Sequence, residues 1–104
     1  MSSINLSVLT PSGSVFEGEA SYLLAPSSNG PIGIMPGHTT LIAPLAKKGV
    51  LKIVKANKEE IFFATSFGAL EIKKEKTVIL TEIAIKTESE EEAKKILNES
   101  ERFN

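Results

Sequence analysis

The chain has no cysteine, so neither a disulfide framework nor a thiolate metal site is open to it, a composition that fits a reducing compartment. It has no basic stretch interleaved with aromatic residues. Twelve Lys and Arg stand against 13 Asp and Glu, leaving a net charge of −1. This balance argues against nucleic acid as a partner, because phosphate binding draws on a concentrated positive face. The start, Met1-Ser2-Ser3-Ile4-Asn5, lacks the basic patch and apolar run of a signal peptide, and no later segment approaches the roughly 20 apolar residues of a membrane span. Any association with a membrane is therefore expected to run through a partner. Histidine occurs once, at His38. No Gly-x-Ser-x-Gly elbow accompanies it, and without a second histidine or a cysteine a zinc site would depend on carboxylates. His38 reads better as a turn residue whose ring bonds nearby backbone than as a proton-transfer group. The glycines around it are followed by His38-Thr39, not by the Lys-Ser/Thr of a phosphate loop.

What remains, in 104 residues, is enough for one compact domain with an ordinary share of hydrophobic (41%) and charged (24%) residues. Ile4, Leu6 and Val8 alternate with polar residues, the period-two pattern of a strand with one buried face. Short runs follow at Val15-Phe16, Ser21 to Leu24, Thr40 to Ile42, Val50 to Val54, Ile61 to Ala64, Ala69 to Ile72 and Thr77 to Leu80. Turn residues or Lys/Glu clusters separate nearly all of them. Many short strands without intervening helices predict a mainly β fold, an antiparallel β-sandwich, since parallel pairs call for crossover helices. Gly30 through His38, rich in glycine and proline, is expected to follow a shaped path and not a regular element.

Several runs, among them Val50-Leu51, Ile53-Val54 and Val78-Ile79-Leu80, place apolar residues at consecutive positions and hence on both faces of a sheet. A lone sandwich needs only its inner face covered. The excess points to a partner docked outside, with Ile61-Phe62-Phe63 as another candidate surface.

From Thr87 the composition turns acidic and helical. Ala93, Ile96, Leu97 and Ser100 share one face, so one short amphipathic α-helix is expected over residues 90–104. Thr87 with Glu90, or Ser89 with Glu92, fits a capping box, and Glu90 to Lys94 and Glu91 to Lys95 are spaced for i,i+4 pairs. So short a helix needs packing against the sandwich or a partner. The organisation expected is a β-sandwich domain over residues 1–86 and a C-terminal helical tail over 87–104.

Four segments, Thr10 to Gly18, Gly30 to His38, Ser66 to Ile72 and Thr77 to Leu80, stand in an order and spacing that closely resemble the epsilon subunit of F-type ATP synthases. The resemblance implies a non-catalytic β-sandwich at the foot of a rotating central stalk, which binds the gamma subunit and the polar loops of the membrane-embedded c-ring. Ring rotation driven by ion transport is thereby transmitted to gamma and, indirectly, to the catalytic alpha/beta hexamer for ATP synthesis. It implies a peripheral place on the cytoplasmic face of a bacterial inner membrane, reached only through the c-ring. The family's ring-facing loop corresponds to Gly30 through His38. Pro31 stands where an acid is common, so Ile32, Met35 and His38 become the expected c-ring contacts.

Val78, Leu80, Ile96 and Leu97 are the expected gamma contacts. The family's Ser-Gly-Gly becomes Ser66-Phe67-Gly68, which implies local repacking. Where some members bind ATP through Ile-Asp-x-x-Arg-Ala, this chain has Glu88, Ser89, Glu92 and Ala93, and an acid replaces the arginine. No ATP binding, and no other cofactor or metal, is expected. The family's two-helix arm, which can extend into the hexamer, has only one helix to match it here, so that extended inhibitory state is not expected. The alternative reading is a stand-alone β-sandwich module that binds a peptide or glycan through Gly30 to His38.

Overall fold

The computed structural model describes residues 3–103. Within them the chain runs through β1 (Ile4–Thr10), β2 (Gly13–Ser27), β3 (Gly30–Ile34), β4 (Leu41–Lys55), β5 (Glu60–Ile72), β6 (Thr77–Thr81), β7 (Ala84–Thr87) and α1 (Glu90–Glu99), and ends in a 3-10 turn over Glu101–Phe103. The strands form one sheet in the order β1-β6-β5-β4-β2-β3. Because β1 also pairs with β2, five of these strands close into a ring. The expected mainly β sandwich with one C-terminal helix is thus present as a closed sheet.

The pairs are antiparallel with one exception, β1 with β6, where Leu6 to Leu9 run alongside Thr77 to Leu80 in the same direction. The sequence argument against parallel pairing fails here for a geometric reason. A ring with an odd number of strands cannot alternate direction all the way round, and the connection between β1 and β6 is the rest of the sheet, not a crossover helix.

The short runs expected from the sequence merge into long strands: β2 and β4 have 15 residues each and β5 has 13. Fully extended, 15 residues would reach about 50 Å, whereas the molecule measures 40 × 27 × 26 Å, so these strands bend. They bend at register shifts, between Ala20 and Tyr22 and between Leu24 and Ser27 in β2, and between Leu45 and Lys48 in β4. Each half of a bent strand then serves a different neighbour. β5 pairs with β7 through Phe62 to Thr65 and with β6 through Gly68 to Ile72.

The first half of the Gly30 to His38 segment is strand β3, a correction to the expected irregular path. As β3 bonds only to β2, it is an edge strand, and there the missing N–H of Pro31 costs no ladder bond. The shaped part is the turn beyond it. His38 donates its backbone N–H to Met35 at 3.1 Å, and Gly37 sits at φ +87°. Proline followed by a glycine at positive φ is the signature of a type II turn.

The interior of the ring holds Leu6, Val8, Leu23, Leu51, Ile53, Phe63, Leu70 and Ile79, all at 0–2% exposure. Burying each such side chain contributes about 1.5–3 kcal/mol. A second apolar cluster lies outside the ring, where Ala93 and Leu97 of α1 and Phe103 of the 3-10 turn cover Ala64 of β5, flanked by Val50, Ile83, Ile85 and Ile96. The tail therefore packs on its own sheet.

Of the two capping arrangements, the one at Ser89 forms. Ser89 Oγ accepts from the Glu92 N–H at 3.1 Å, and the Glu92 carboxylate accepts from the Glu88 N–H at 2.6 Å. The Thr87 hydroxyl instead donates to the Ser89 carbonyl. Glu90 pairs with Lys94 at 3.3 Å. The helix stops at Glu99, short of the range expected over 90–104, whose last residue lies outside those described. Ser100 turns extended, with ψ 132°, and its Oγ accepts from the Arg102 N–H at 3.2 Å, redirecting the chain so that Phe103 points back into the sheet.

Candidate docking surfaces

The strand register places the expected gamma-contact residues of β6 on the outer face. Ile79 points into the core, so Val78 and Leu80, one residue to either side, point out. Residues opposite one another in neighbouring strands share a face, which extends the surface sideways. Leu80 lies opposite Ala69 of β5 and Leu9 of β1, and Ala69 lies opposite Pro44 of β4, giving an apolar row across four strands. In the adjacent row Val78 and Ile42 flank Glu71, whose carboxylate turns to Lys73 at 3.8 Å. Ile42 is 72% exposed and Leu80 48%, in a chain with few other large apolar side chains in water. Next to the rows lies a hollow of ≈ 330 Å³ walled by Leu9, Pro11, Phe67 and Leu80. Extended apolar surface of this kind marks interaction sites.

The expected contacts on the tail are placed differently. Leu97 is 6% exposed, held against Ala64 and Phe103, and Ile96 is half-buried against the same cluster. Both apolar groups pack within this chain. Phe63 is core and Phe62 half-buried, so the Phe62-Phe63 pair divides between inside and outside.

The second candidate surface is the end of the molecule formed by the Met35 to His38 turn. Met35 is 63% exposed. His38 is half-buried, its Nδ1 2.8 Å from the Thr39 carbonyl. Because a carbonyl only accepts, that nitrogen carries the proton, and the ring serves the turn as the sequence suggested. Met35, Pro36, Gly37 and His38 line a hollow of ≈ 320 Å³ together with the Lys73 to Thr77 hairpin, the start of β1 and Glu19. Ile32 does not join them on the surface. It is half-buried and packs on the core, while Pro31 and Gly33, its neighbours in β3, are exposed.

Sequence reasoning missed Phe67, Ile42 and Leu9 as surface residues and Phe103 as a buried one. A phenylalanine between Ser66 and Gly68 was a signal of local change. The outward direction of Ile42 follows only from the register. Ser89 and Glu92, two of the positions matched to the ATP-binding segment, are occupied in capping α1. Among the described residues no three His, Cys, Asp or Glu side chains are grouped to hold a metal ion, and no helix is long and apolar enough to cross a membrane.

A closed sheet with an apolar outer face, a shaped turn at one end and a helix folded back on its flank defines a protein-docking module. Residues 3–87 match the model of the ATP synthase delta/epsilon chain β-sandwich domain. The chain is 33% identical to the ATP synthase epsilon chain of Sulfurimonas denitrificans, over 99% of this chain and 80% of that one. It is 36% identical to the ATP synthase epsilon chain of Xanthomonas oryzae, over 99% and 74%. This chain belongs to the ATP synthase epsilon family, whose members are non-catalytic subunits. The same fold recurs in a chain of the Euglena gracilis mitochondrial ATP synthase, in a structure of its OSCP, F1 and c-ring, with a TM-score of 0.77 at 18% identity. A chain from the central stalk and c-ring of the Tetrahymena thermophila enzyme gives 0.62 at 18% identity. This chain spans 64% and 65% of the lengths of those two chains.

Proposed function

We propose that this chain is the subunit of a bacterial ATP synthase that joins the gamma subunit to the c-ring in the central stalk, so that ring rotation is passed on to the catalytic hexamer. The observation that carries this reading is the apolar row Pro44, Ala69, Leu80 and Leu9, assembled from four strands on the outside of a sheet whose inner face already has its own core. Gamma docks on this row. The Met35 to His38 turn is the c-ring contact, since Met35 stands in solvent on a turn fixed by Pro36 and Gly37, and a turn with its own geometry binds without a large ordering cost. The subunit then sits at the cytoplasmic face of the inner membrane and meets the membrane only through the ring.

An interface of standard size buries about 1,200–2,000 Å² in total, and one built on apolar rows holds in salt. Leu80→Glu and Ile42→Glu place a charge on the exposed face without touching the core. Both variants are expected to keep the fold, seen by circular dichroism, and to lose binding to the gamma subunit. Wild-type binding to gamma by both, or release of the wild-type chain from gamma by salt that leaves it folded, would refute the reading.

A further inference from the structure

Phe67 stands apart from the rows around it. It is 58% exposed although β5 is buried immediately before it, from Phe63 to Ser66. The backbone that carries it is fixed from both sides. Thr81 and Ser66, at 4% and 5% exposure, form a polar knot beneath it. The Thr81 hydroxyl donates to the Ser66 carbonyl at 2.9 Å with the Phe67 carbonyl at 3.2 Å, and Ser66 Oγ accepts from the Ile83 N–H at 2.9 Å. The Glu82 N–H donates to the Phe67 carbonyl at 3.2 Å. On the other side Gly68 lies so near the Leu80 carbonyl that it admits no side chain. The ring rises between two hollows, one bounded by Leu9 and Leu80, the other by Ile83 and Phe103.

We propose that Phe67 is the anchor of the gamma interface, entering an apolar pocket on the gamma subunit whose walls descend into the two hollows, and that the Ser66–Thr81 knot is what holds it out. Aromatic side chains that fill a partner's pocket carry a disproportionate share of interface energy, and one on a backbone already fixed loses little freedom on binding. The occupant follows from continuity, since Phe67 borders the same hollow as Leu80 of the apolar row. The proposal rests on the reading that gamma docks on that row, and it deepens it by naming the residue that dominates the contact.

The full chain is titrated against an ATP synthase catalytic complex that contains gamma and lacks this subunit. Phe67→Ala is expected to weaken binding at least about tenfold and to leave the melting temperature of the free chain unchanged, since the ring is in water there. Unchanged affinity overturns the proposal. Because the chain contains no tryptophan, Phe67→Trp gives a reporter at the site. It is expected to bind and to shift its emission to shorter wavelength as gamma is added, and a bound complex with solvent-like emission overturns the proposal.

Leu80→Glu separates the two readings. If it abolishes binding while Phe67→Ala does not, the face is right and the anchor wrong; if neither weakens binding, both fall. Thr81→Val removes the knot's hydroxyl at nearly constant shape. In the Phe67→Trp chain it is expected to lower the tryptophan anisotropy of the free protein and weaken binding, and wild-type values for both would show that the knot positions nothing.

Discussion

Gly68 and Leu80 approach each other across β5 and β6 so closely that a Cβ built on the glycine would collide with the Leu80 carbonyl oxygen and crowd the Cα of Thr81. The obstacle is backbone on the far strand of a closed ring, and neither partner can move without opening the β5–β6 ladder.

Gly68→Ala is therefore expected to destabilise the fold by about 3 kcal/mol, at the upper end of overpacking changes. In a domain of this size each kcal/mol lowers the melting temperature by about 4–8 °C. Gly33→Ala is the control. The Cβ there would meet the hydroxyl end of Tyr22, a side chain able to swing aside, so its loss should be much smaller. Thermal unfolding of the two variants checks the order, and equal melting temperatures would contradict it.

The alternation at Ile4 to Val8, and the turn residues that separate the other short apolar runs, were enough to read the β fold from the sequence, because local alternation reports which face is buried. Strand ends were not legible in the same way. Val15-Phe16 and Ser21 to Leu24 belong to one bent strand, and bending is imposed by ring closure, a property of the whole sheet. The parallel β1–β6 pair is hidden for the same reason. At the candidate surfaces, Val78 and Leu80 were legible because three apolar residues in a row put at least one on each face of a sheet, and the structure then shows Ile79 as the inward one. Leu97 was equally apolar, but the sequence left its stripe to pack on the sandwich or on a partner; a helix stripe faces whatever lies nearest, and here that is Ala64 of the chain's own sheet.

The helix cap offers a local test of the tail. Ser89→Ala removes the acceptor for the Glu92 N–H, and a lost N-cap typically costs about 1 kcal/mol. With Ala93 and Leu97 still packed, the cost should fall on α1 alone. Amide exchange is expected to speed up across Glu90 to Glu99 by about fivefold, the equivalent of that energy, while the β5 amides exchange as before. Uniform acceleration over both elements would mean that the tail and the ring unfold as one unit.

Met35 on the turn and Ile32 in β3 before it should respond differently to the same change. Met35→Glu places a charge on a side chain that is 63% exposed, so the fold should be kept while coupling of rotation to ATP synthesis weakens in the assembled enzyme. Ile32→Glu puts a charge on a side chain that packs against the core, where an unpaired carboxylate is costly, and it should lower stability first. Melting curves and ion-driven ATP synthesis in reconstituted vesicles separate the two. Normal coupling with Met35→Glu would remove the turn from the ring contact.

The tail bears on regulation. Three of its four apolar groups, Ala93, Leu97 and Phe103, are buried on the sheet at 0–7% exposure, so lifting it into the catalytic hexamer would first expose that surface together with Ala64. Removing a buried Phe side chain alone costs about 3–5 kcal/mol in a core, and the whole cluster would have to be given up before any inhibitory contact could form. Two of the positions matched to the nucleotide segment, Ser89 and Glu92, already cap the helix. Deletion of residues 88–104 is accordingly expected to leave ATP hydrolysis by the assembled complex within about twofold of the intact enzyme, a difference below about 0.5 kcal/mol. It should also lower the melting temperature of the isolated chain, as the face of Val50, Ala64 and Ile85 becomes uncovered. A many-fold rise in hydrolysis on deletion would show that the tail leaves the sheet and inhibits.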